Sequence, residues 1–266
     1  MRSNNTDKRY SGGETLNVAA SDVMTAAEFD IKQCAVAIVV NGLELLQNSG
    51  KEKVIDLLEA RIKNAEKTML NNLSADCYSA GTADGGKQIG GLQLLVSDAG
   101  TGTVGGIISG TYTFWQNQVY DMSANSVTAS ATTIQDAMNS LYLSLARNRD
   151  VPDLIVADNT YYGYYWKSLQ AIQRVTDEKM AAAGFQTLKF LGSDVVYDGG
   201  LGGDAPSAHM YFINSNYLFF RPHRDRNMVP LSPDRFSTNQ DAMVKLLGWA
   251  GNMTVSNRSL QGVIVA

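Results

Sequence analysis

Three glycine-rich stretches and one cationic cluster carry the residue types that could do chemistry. Gly100-Thr-Gly-Thr-Val-Gly105 has the spacing of a dinucleotide-binding loop, follows the apolar stretch Leu92–Val96, and is followed by Asp121 near the place of a ribose-binding acid. That chemistry needs a helix opening at the third glycine, so that backbone N–H groups and the helix dipole meet a pyrophosphate. The residues that follow, Gly106-Ile-Ile-Ser-Gly-Thr-Tyr-Thr113, are rich in glycine and β-branched side chains and predict no such helix. Gly81-Thr-Ala-Asp-Gly-Gly-Lys87 is one residue short of a phosphate-binding P-loop. Gln88 stands where a Ser or Thr would hold Mg²⁺, and the stretch follows a helix instead of a strand, so a flexible loop is expected. Gly199-Gly-Leu-Gly-Gly-Asp204 resembles one repeat of a calcium-binding β-helix, a site that needs stacked copies. With Pro206 at the next apolar position, a mobile turn is expected there.

His209 and His223 are the only histidines, and neither has a partner at metal-ligand spacing. No Gly-x-Ser-x-Gly elbow is present to seat a serine nucleophile. Cys34 and Cys77 stand in unrelated contexts without a Cys-x-x-Cys, which predicts reduced, structural thiols. No catalytic residue, cofactor site or metal site is therefore expected. Arg221-Pro-His-Arg-Asp-Arg226 has three readings: a solvated turn after a strand, an intersubunit salt-bridge site centred on Arg221, Arg224 and Arg226, or a phosphate patch. Tyr161, Tyr162, Tyr164, Tyr165 and Trp166 cover every face of one helix. One monomer cannot bury all of them, so Tyr161 and Tyr165 are candidates for a subunit contact, where Tyr and Trp are favoured.

A length of 266 residues suffices for one large domain or two small ones. A hydrophobic content of 44% and a charged content of 18% are those of a folded globular chain. The net charge of −4 argues against a general electrostatic grip on nucleic acid. No apolar stretch approaches the ~20 residues of a membrane span. The start, Met1 to Lys8, is polar and lacks the apolar region of a signal peptide.

Residues 9–42 read as a long two-stranded ribbon, Arg9–Val18 and Glu28–Asn41 around a loop at Ala19–Ala27. A ribbon of two strands is marginal alone and leaves unpaired edges. Another copy of the chain is its expected cover, with Arg9, Tyr10, Glu28 and Lys32 as candidate contacts. Ser49-Gly-Lys-Glu52 is a capping box opening a helix of about 36 Å to Leu73. Its apolar stripe is Val54, Leu57, Leu58, Ile62, Ala65, Met69 and Leu73, and Glu59 and Lys63 form an i,i+4 pair. Leu92–Val96 reads as a short strand, residues 123–131 as a linker, and 132–149 as a helix with the stripe Ile134, Met138, Leu141, Leu145. A strand at Leu154–Ala157, a helix at Tyr161–Ala171 and another at Asp177–Ala183, closed by Gly184, come next. The remainder reads as strands: 188–191, 194–197, 210–212, 217–221, 242–249 and 253–265.

Several stretches are specific enough to carry a resemblance. They are Leu57-Leu-Glu-Ala-Arg-Ile-Lys-Asn-Ala-Glu-Lys67, Asn71-Asn-Leu-Ser74, Gln88-Ile-Gly-Gly-Leu-Gln93 and Pro152-Asp-Leu-Ile-Val-Ala-Asp158. Ser168-Leu-Gln-Ala-Ile-Gln-Arg174, Phe212-Ile-Asn-Ser-Asn-Tyr217, Phe220-Arg-Pro-His223 and Trp249-Ala-Gly-Asn-Met-Thr-Val-Ser-Asn257 join them. Together, from about Arg9 to the C-terminus, the chain resembles the major capsid (head) proteins of tailed bacteriophages, with the Hong Kong 97-type shell fold. The resemblance implies an α+β chain. It would have a short N-terminal arm (1–8), an extended E-loop (9–42) and a peripheral domain (43–124) with its spine helix at 49–74. An axial domain (125–230) and return strands to the peripheral domain (231–266) would follow.

It further implies a structural, non-enzymatic protein that closes into an icosahedral head around phage DNA, assembled in the host bacterial cytoplasm and residing in the virion. Partners would be its own copies in pentamers and hexamers, a portal, and scaffold or decoration proteins, without sequence-specific DNA binding. Only about eight polar residues precede Arg9, where similar proteins carry a longer arm or a removed scaffold-like segment, so either the arm is short or the full product starts further upstream. Two alternatives stand beside this reading: an encapsulin-like compartment shell, and, more remotely, a nucleotide-binding enzyme using the glycines of 81–105.

Overall fold

Residues 9–15, 25–47, 57–170, 188–199, 203–236 and 241–266 are described by the computed structural model. In chain order, strand β1 (Lys32–Asn41) and helix α1 (Gly42–Gln47) precede the long helix α2 (Leu57–Cys77). A distorted turn α3 (Ala83–Gly86), a one-turn helix α4 (Leu92–Leu95), a tiny hairpin β2 (Thr103–Val104) and β3 (Ile107–Ile108), and β4 (Gln118–Asp121) follow. Next come α5 (Ile134–Leu145), β5 (Leu154–Ala157), α6 (Asn159–Gln170), β6 (Leu188–Phe190), β7 (Ser193–Tyr197) and β8 (His209–Ile213). The chain closes with β9 (Leu218–Pro222), β10 (Val229–Phe236), β11 (Ala242–Val255) and β12 (Gly262–Val265).

The second half builds a six-stranded mixed sheet in the order β4-β12-β8-β5-β7-β6. Its central strands are apolar at successive positions because both of their faces are covered. Alternation then divides them between two cores. Ile155, Ala157, Met210, Phe212 and Ile264 face α5 and α6, meeting Ile134, Met138, Leu141, Leu145, Tyr161 and Tyr165. Val156, Tyr211, Ile213, Val263 and Val265 face the other way, toward Met69, Leu73, Leu92, Leu95, Trp115 and Trp249. Each large apolar side chain so buried contributes about 1.5–3 kcal/mol.

A second sheet of four strands is organised by β11. β1 lies along one side of it, from Lys32 opposite Gly251 to Asn41 opposite Ala242. β10 and β9 share the other side. Within β1, Lys32, Cys34, Val36, Ile38 and Val40 turn inward, while Gln33, Ala35, Ala37 and Val39 stay exposed. On α2, Ala65, Met69 and Leu73 are buried, three of the stripe positions expected. The Lys63 ammonium lies 2.6 Å from the Glu59 carboxylate.

Several elements differ from the sequence reading. Leu92–Val96 is helical: Leu94 and Leu95 N–H reach the Gly91 carbonyl at 3.1 and 3.0 Å, and Val96 N–H reaches Leu92 O at 2.7 Å. A single turn buries Leu92, Leu95 and Val96 on one side, a spacing too short for periodicity to separate from a strand. The strand expected at Glu28–Asn41 is present as Lys32–Asn41, but its partner is β11 of the same chain, and residues 9–15 form no strand. Thus the sheet that supports it comes from over 200 residues downstream. Its α1 continuation is fixed by Gly42 N–H to Asp241 O at 2.8 Å.

Helix α2 runs on to Cys77, past Leu73. The capping box, Val54, and the helix and glycine expected at 177–184 lie outside the described residues. α5 stops at Leu145, where Arg147 and Asp150 exchange backbone hydrogen bonds around left-handed Asn148 (φ 59°). Finally, 231–266 does not return as one unit: β12 enters the six-stranded sheet between β4 and β8, while β9, inside the expected axial segment, pairs with β11.

Where the chain passes from one sheet to the other, Arg258 is completely buried. Its guanidinium donates to Leu95 O (2.7 Å), Trp115 O (3.2 Å), Ser97 Oγ (3.1 Å) and Asn117 Oδ1 (2.7 Å). These partners are all neutral, and burial pulls its pKa down to about 10. Buried polar groups are tolerated only when hydrogen-bonded, and here one side chain ties together two separate segments, 95–97 and 115–117.

Candidate assembly surfaces

The N-terminal candidates divide by their surroundings. Arg9 and Tyr10 belong to the stretch 9–15, exposed throughout, with Tyr10 65% accessible. Glu28 is exposed at its side chain, while its N–H donates to Gly105 O at 3.0 Å. Lys32 is half-buried, and its ammonium donates to the Gly86 carbonyl at 2.7 Å, an anchor within the chain. The start of β1 is also tied by Asn252. Its Nδ2 donates to Asp30 O at 2.7 Å, and its Oδ1 accepts from Gly90 N–H at 3.2 Å.

The tyrosine helix is positioned by Asp158. One carboxylate oxygen accepts from Tyr161 N–H at 2.9 Å as an N-cap, and the other from Ala208 N–H at 3.0 Å. Tyr161 and Tyr165 then face the sheet and are buried, at 1% and 2% accessibility, which removes both from the candidate contact surface. Tyr165 donates its hydroxyl to Lys189 O at 2.7 Å. Burial, with the Asp158 charge adding, pushes the Tyr161 phenol up to about 12. What α6 presents outward is Trp166, with Tyr162 between it and Tyr197 at ring distances of 6.5 and 5.0 Å. Trp166 and Tyr197 are 40% and 59% exposed.

Arg221, Arg224 and Arg226 are all exposed. Arg221 Nε donates to Thr254 Oγ1 at 3.0 Å and its guanidinium lies 4.9 Å from the Phe219 ring centroid. Arg226 donates to Gln33 Oε1 at 2.9 Å. The turn is stitched to β11 by His223 N–H to Ala250 O (2.7 Å) and Ala250 N–H to Arg226 O (2.8 Å). Arg221 and Arg226 thus point to different neutral partners and do not converge as a phosphate patch would. Arg221 borders a groove of about 450 Å³ lined by Phe29, Phe114, Trp115 and Phe219.

The glycine loops at 81–87 and 100–106 hold no cradle for a nucleotide. Gly105 and Gly106, at φ 60° and 75°, make the two-residue turn between β2 and β3, a hairpin geometry that needs left-handed residues at both positions. No helix opens there. Asp84, Gly85 and Gly86 are likewise left-handed, so α3 offers no aligned N–H array, and Lys87 lies exposed. His209 Nε2 is 3.2 Å from Asp98 Oδ2, at ion-pair distance without hydrogen-bond geometry. Among the described residues no group of three or more His, Cys, Asp or Glu could hold a metal ion. Burial raises the pKa of both half-buried thiols, Cys34 and Cys77, making them less reactive. Among the described residues no helix is long and apolar enough to cross a membrane.

Arg258 and Asn252, the two side chains that knit the molecule together, carry no sequence signal beyond their type. The exposed apolar positions Val39, Leu43, Leu46 and Trp166 became visible only once the buried faces were known.

No family model matches the sequence, and no curated protein does. Among solved structures, the chain is similar to the capsid asymmetric unit of cyanophage A-1(L). The identity is 16%, with 87% of this chain and 75% of that one covered, at a TM-score of 0.63. It is similar to the capsid of an empty GTA particle, at 14% identity, covering 96% and 80%, with a TM-score of 0.57. It is also similar to the SrpI encapsulin of Synechococcus elongatus PCC 7942, at 9% identity, covering 88% and 73%, with a TM-score of 0.52. The chain has the α+β fold of phage major capsid proteins, the Hong Kong 97-like fold, which that encapsulin shell shares.

Proposed function

We propose that this chain is the major capsid protein of a tailed phage, many copies of which close into an icosahedral head around double-stranded DNA. The likeness to phage and GTA capsids over nearly the whole chain carries this reading. The surface is consistent with it: apolar and aromatic groups stand exposed in several places. Its work is interface formation, without a cofactor. Residues 9–42 supply the E-loop and its root, α2 the spine of the peripheral domain, and the six-stranded sheet with α5 and α6 the axial domain. The contact set is Arg9, Tyr10, Glu28 and the Arg221–Arg226 turn, joined by Trp166 and Tyr197 in place of Tyr161 and Tyr165. A portal and scaffold or decoration proteins complete the particle, built in the host cytoplasm.

An encapsulin-like shell is the second reading, favoured by the match to SrpI. Flanking genes for a terminase, portal and protease support the phage head, and a flanking cargo-enzyme gene supports the compartment. Assembly itself is tested by sedimentation velocity with negative-stain electron microscopy of the purified chain. Closed shells, pentamers or hexamers are expected, and deletion of residues 9–31, which spares β1, is expected to abolish closure. A monomer at high concentration that an added N-terminal extension does not convert contradicts the reading.

A further inference from the structure

His209 stands at the start of β8 with its backbone fixed on both sides. Its carbonyl accepts from Asp158 N–H at 3.1 Å, the turn before it is held by Ala208 N–H on the Asp158 carboxylate at 3.0 Å, and Val265 of β12 lies opposite. The ring stacks on Tyr211, two residues along the same face of the strand, at 5.9 Å between centroids. Its two nitrogens have different surroundings. Nδ1 lies 2.7 Å from Ser207 O, which can only accept, so Nδ1 carries the proton and Nε2 of the neutral ring presents its lone pair. An imidazole oriented through one nitrogen by a backbone carbonyl, leaving the other to ligate, is the usual supporting arrangement at a metal.

That lone pair meets a carboxylate. Nε2 is buried without a hydrogen-bond partner among the described residues, and Asp98 Oδ2 stands 3.2 Å from it. Because Oδ2 lies off the axis of the ring nitrogen, a proton on Nε2 would be poorly shared with it. Two ligands of one divalent ion do stand in this relation. With each about 2.0–2.1 Å from the ion, they are about 3.0–3.4 Å apart and their lone pairs converge obliquely. A third polar atom lies in the same field. Tyr211 has no accessible surface and its hydroxyl is buried without a partner among the described residues. Burial, followed by the Asp98 charge, pushes its phenol up. The Asp98 side chain is 52% exposed, so water reaches the carboxylate.

We propose that His209 Nε2 and the Asp98 carboxylate bind one divalent cation of the zinc class, with water filling the remaining positions. Imidazole favours such ions over Mg²⁺ and Ca²⁺, which take oxygen ligands. Two protein ligands make a weak, exchangeable site, and their separation in the chain leaves no metal-ligand spacing in the sequence. An ion here ties β8 to the segment after α4, the same segment that Arg258 holds through Leu95 O and Ser97 Oγ. It adds a metal-dependent clasp to the one that Arg258 makes, whether or not the chain builds a shell.

Equilibrium dialysis of the EDTA-stripped chain against ZnCl₂, with Asp98→Asn and His209→Gln beside the parent, tests it. The parent is expected to bind one Zn²⁺ that raises its melting temperature, and each variant to lose at least about tenfold in zinc affinity. Zinc bound equally by parent and variants, as by His223, Cys34 or Cys77, overturns the proposal, and so does a parent that binds none. Stabilisation of the parent by acid alone, with no response to zinc, overturns it in favour of a proton-operated contact. Should the variants misfold, zinc-edge X-ray absorption of the His223→Gln chain loaded with less than one equivalent of ZnCl₂ decides the matter. One imidazole nitrogen among oxygens at about 2.0–2.1 Å is the expected result, and sulfur at about 2.3 Å or a shell without imidazole overturns the proposal.

Discussion

The six-stranded sheet and the four-stranded sheet have comparable interior residues and opposite exteriors. In the first, β5, β8 and β12 are covered on both faces by side chains of their own chain, and Met210, Tyr211 and Phe212 have no accessible surface. In the second, β1 buries Ile38 and Val40 but leaves Val39 46% exposed and, among the described residues, pairs only with β11, and Leu43 and Leu46 of the adjoining α1 are 59% and 71% exposed. On the proposed shell reading, one region completes itself within the chain and the other is completed by identical neighbours. Stability should therefore be concentrated in the first and assembly in the second, and substitutions can separate the two.

The largest expected effect is on Arg258, which holds the passage between the sheets. Arg258→Ala strands the acceptors at Leu95, Trp115 and Asn117 and opens a cavity, so a loss of about 3–5 kcal/mol in urea denaturation is expected. A loss below about 1 kcal/mol would show that the sheets are not joined through this side chain. Next comes a pair of neighbours on α6. Tyr165→Ala is expected to lower stability by about 3–4 kcal/mol, as for other buried aromatics. Trp166→Ala is expected to leave the melting of the isolated chain within about 1 kcal/mol of the parent while weakening assembly in sedimentation velocity. If the two behave alike, the division between core and contact surface fails on this helix.

The smallest effect is alkaline. The Tyr161 phenol is raised from 10.0 to about 12 by burial, so its contribution is fully present below pH 10 and is lost as pH rises toward 12, because the unfolded chain ionises first. Burial raises Tyr78 and Tyr211 in the same direction. Tyr161→Phe is expected to flatten the fall in melting temperature between about pH 10 and 12. At pH 7 it should cost little, since this hydroxyl is buried without a hydrogen-bond partner among the described residues. A steep, unchanged alkaline limb in the variant would assign that limb to other groups.

Sequence periodicity was a good guide wherever an element met the core along one face. The Ile134–Met138–Leu141–Leu145 stripe and the strand at Leu154–Ala157 are local patterns, and the structure has them, while the helix expected from Tyr161 opens two residues earlier, at Asn159. It was a poor guide where partners are distant. The pairing of β1 with β11 joins residues about 200 apart, and nothing local distinguishes that from a hairpin. β10 has no counterpart in the sequence reading: Pro230 and Pro233 interrupt its pattern, although an edge strand tolerates them. β4 is four residues with polar ends, too short for alternation to register. Tyr161 and Tyr165 were assigned to the surface because a helix crowded with aromatics exceeds one buried face. The excess lies on Trp166 and Tyr162, and only the direction of the sheet decides which.

Hydrogen exchange followed by mass spectrometry, comparing the chain free at low concentration with the same chain in assembled particles, tests the central division most directly. The account predicts new protection in β1, at Gln33–Ala37, with β5, β8 and β12 already protected in the free chain and little changed. Protection gained mainly in the six-stranded sheet, with β1 unaltered by assembly, would contradict it.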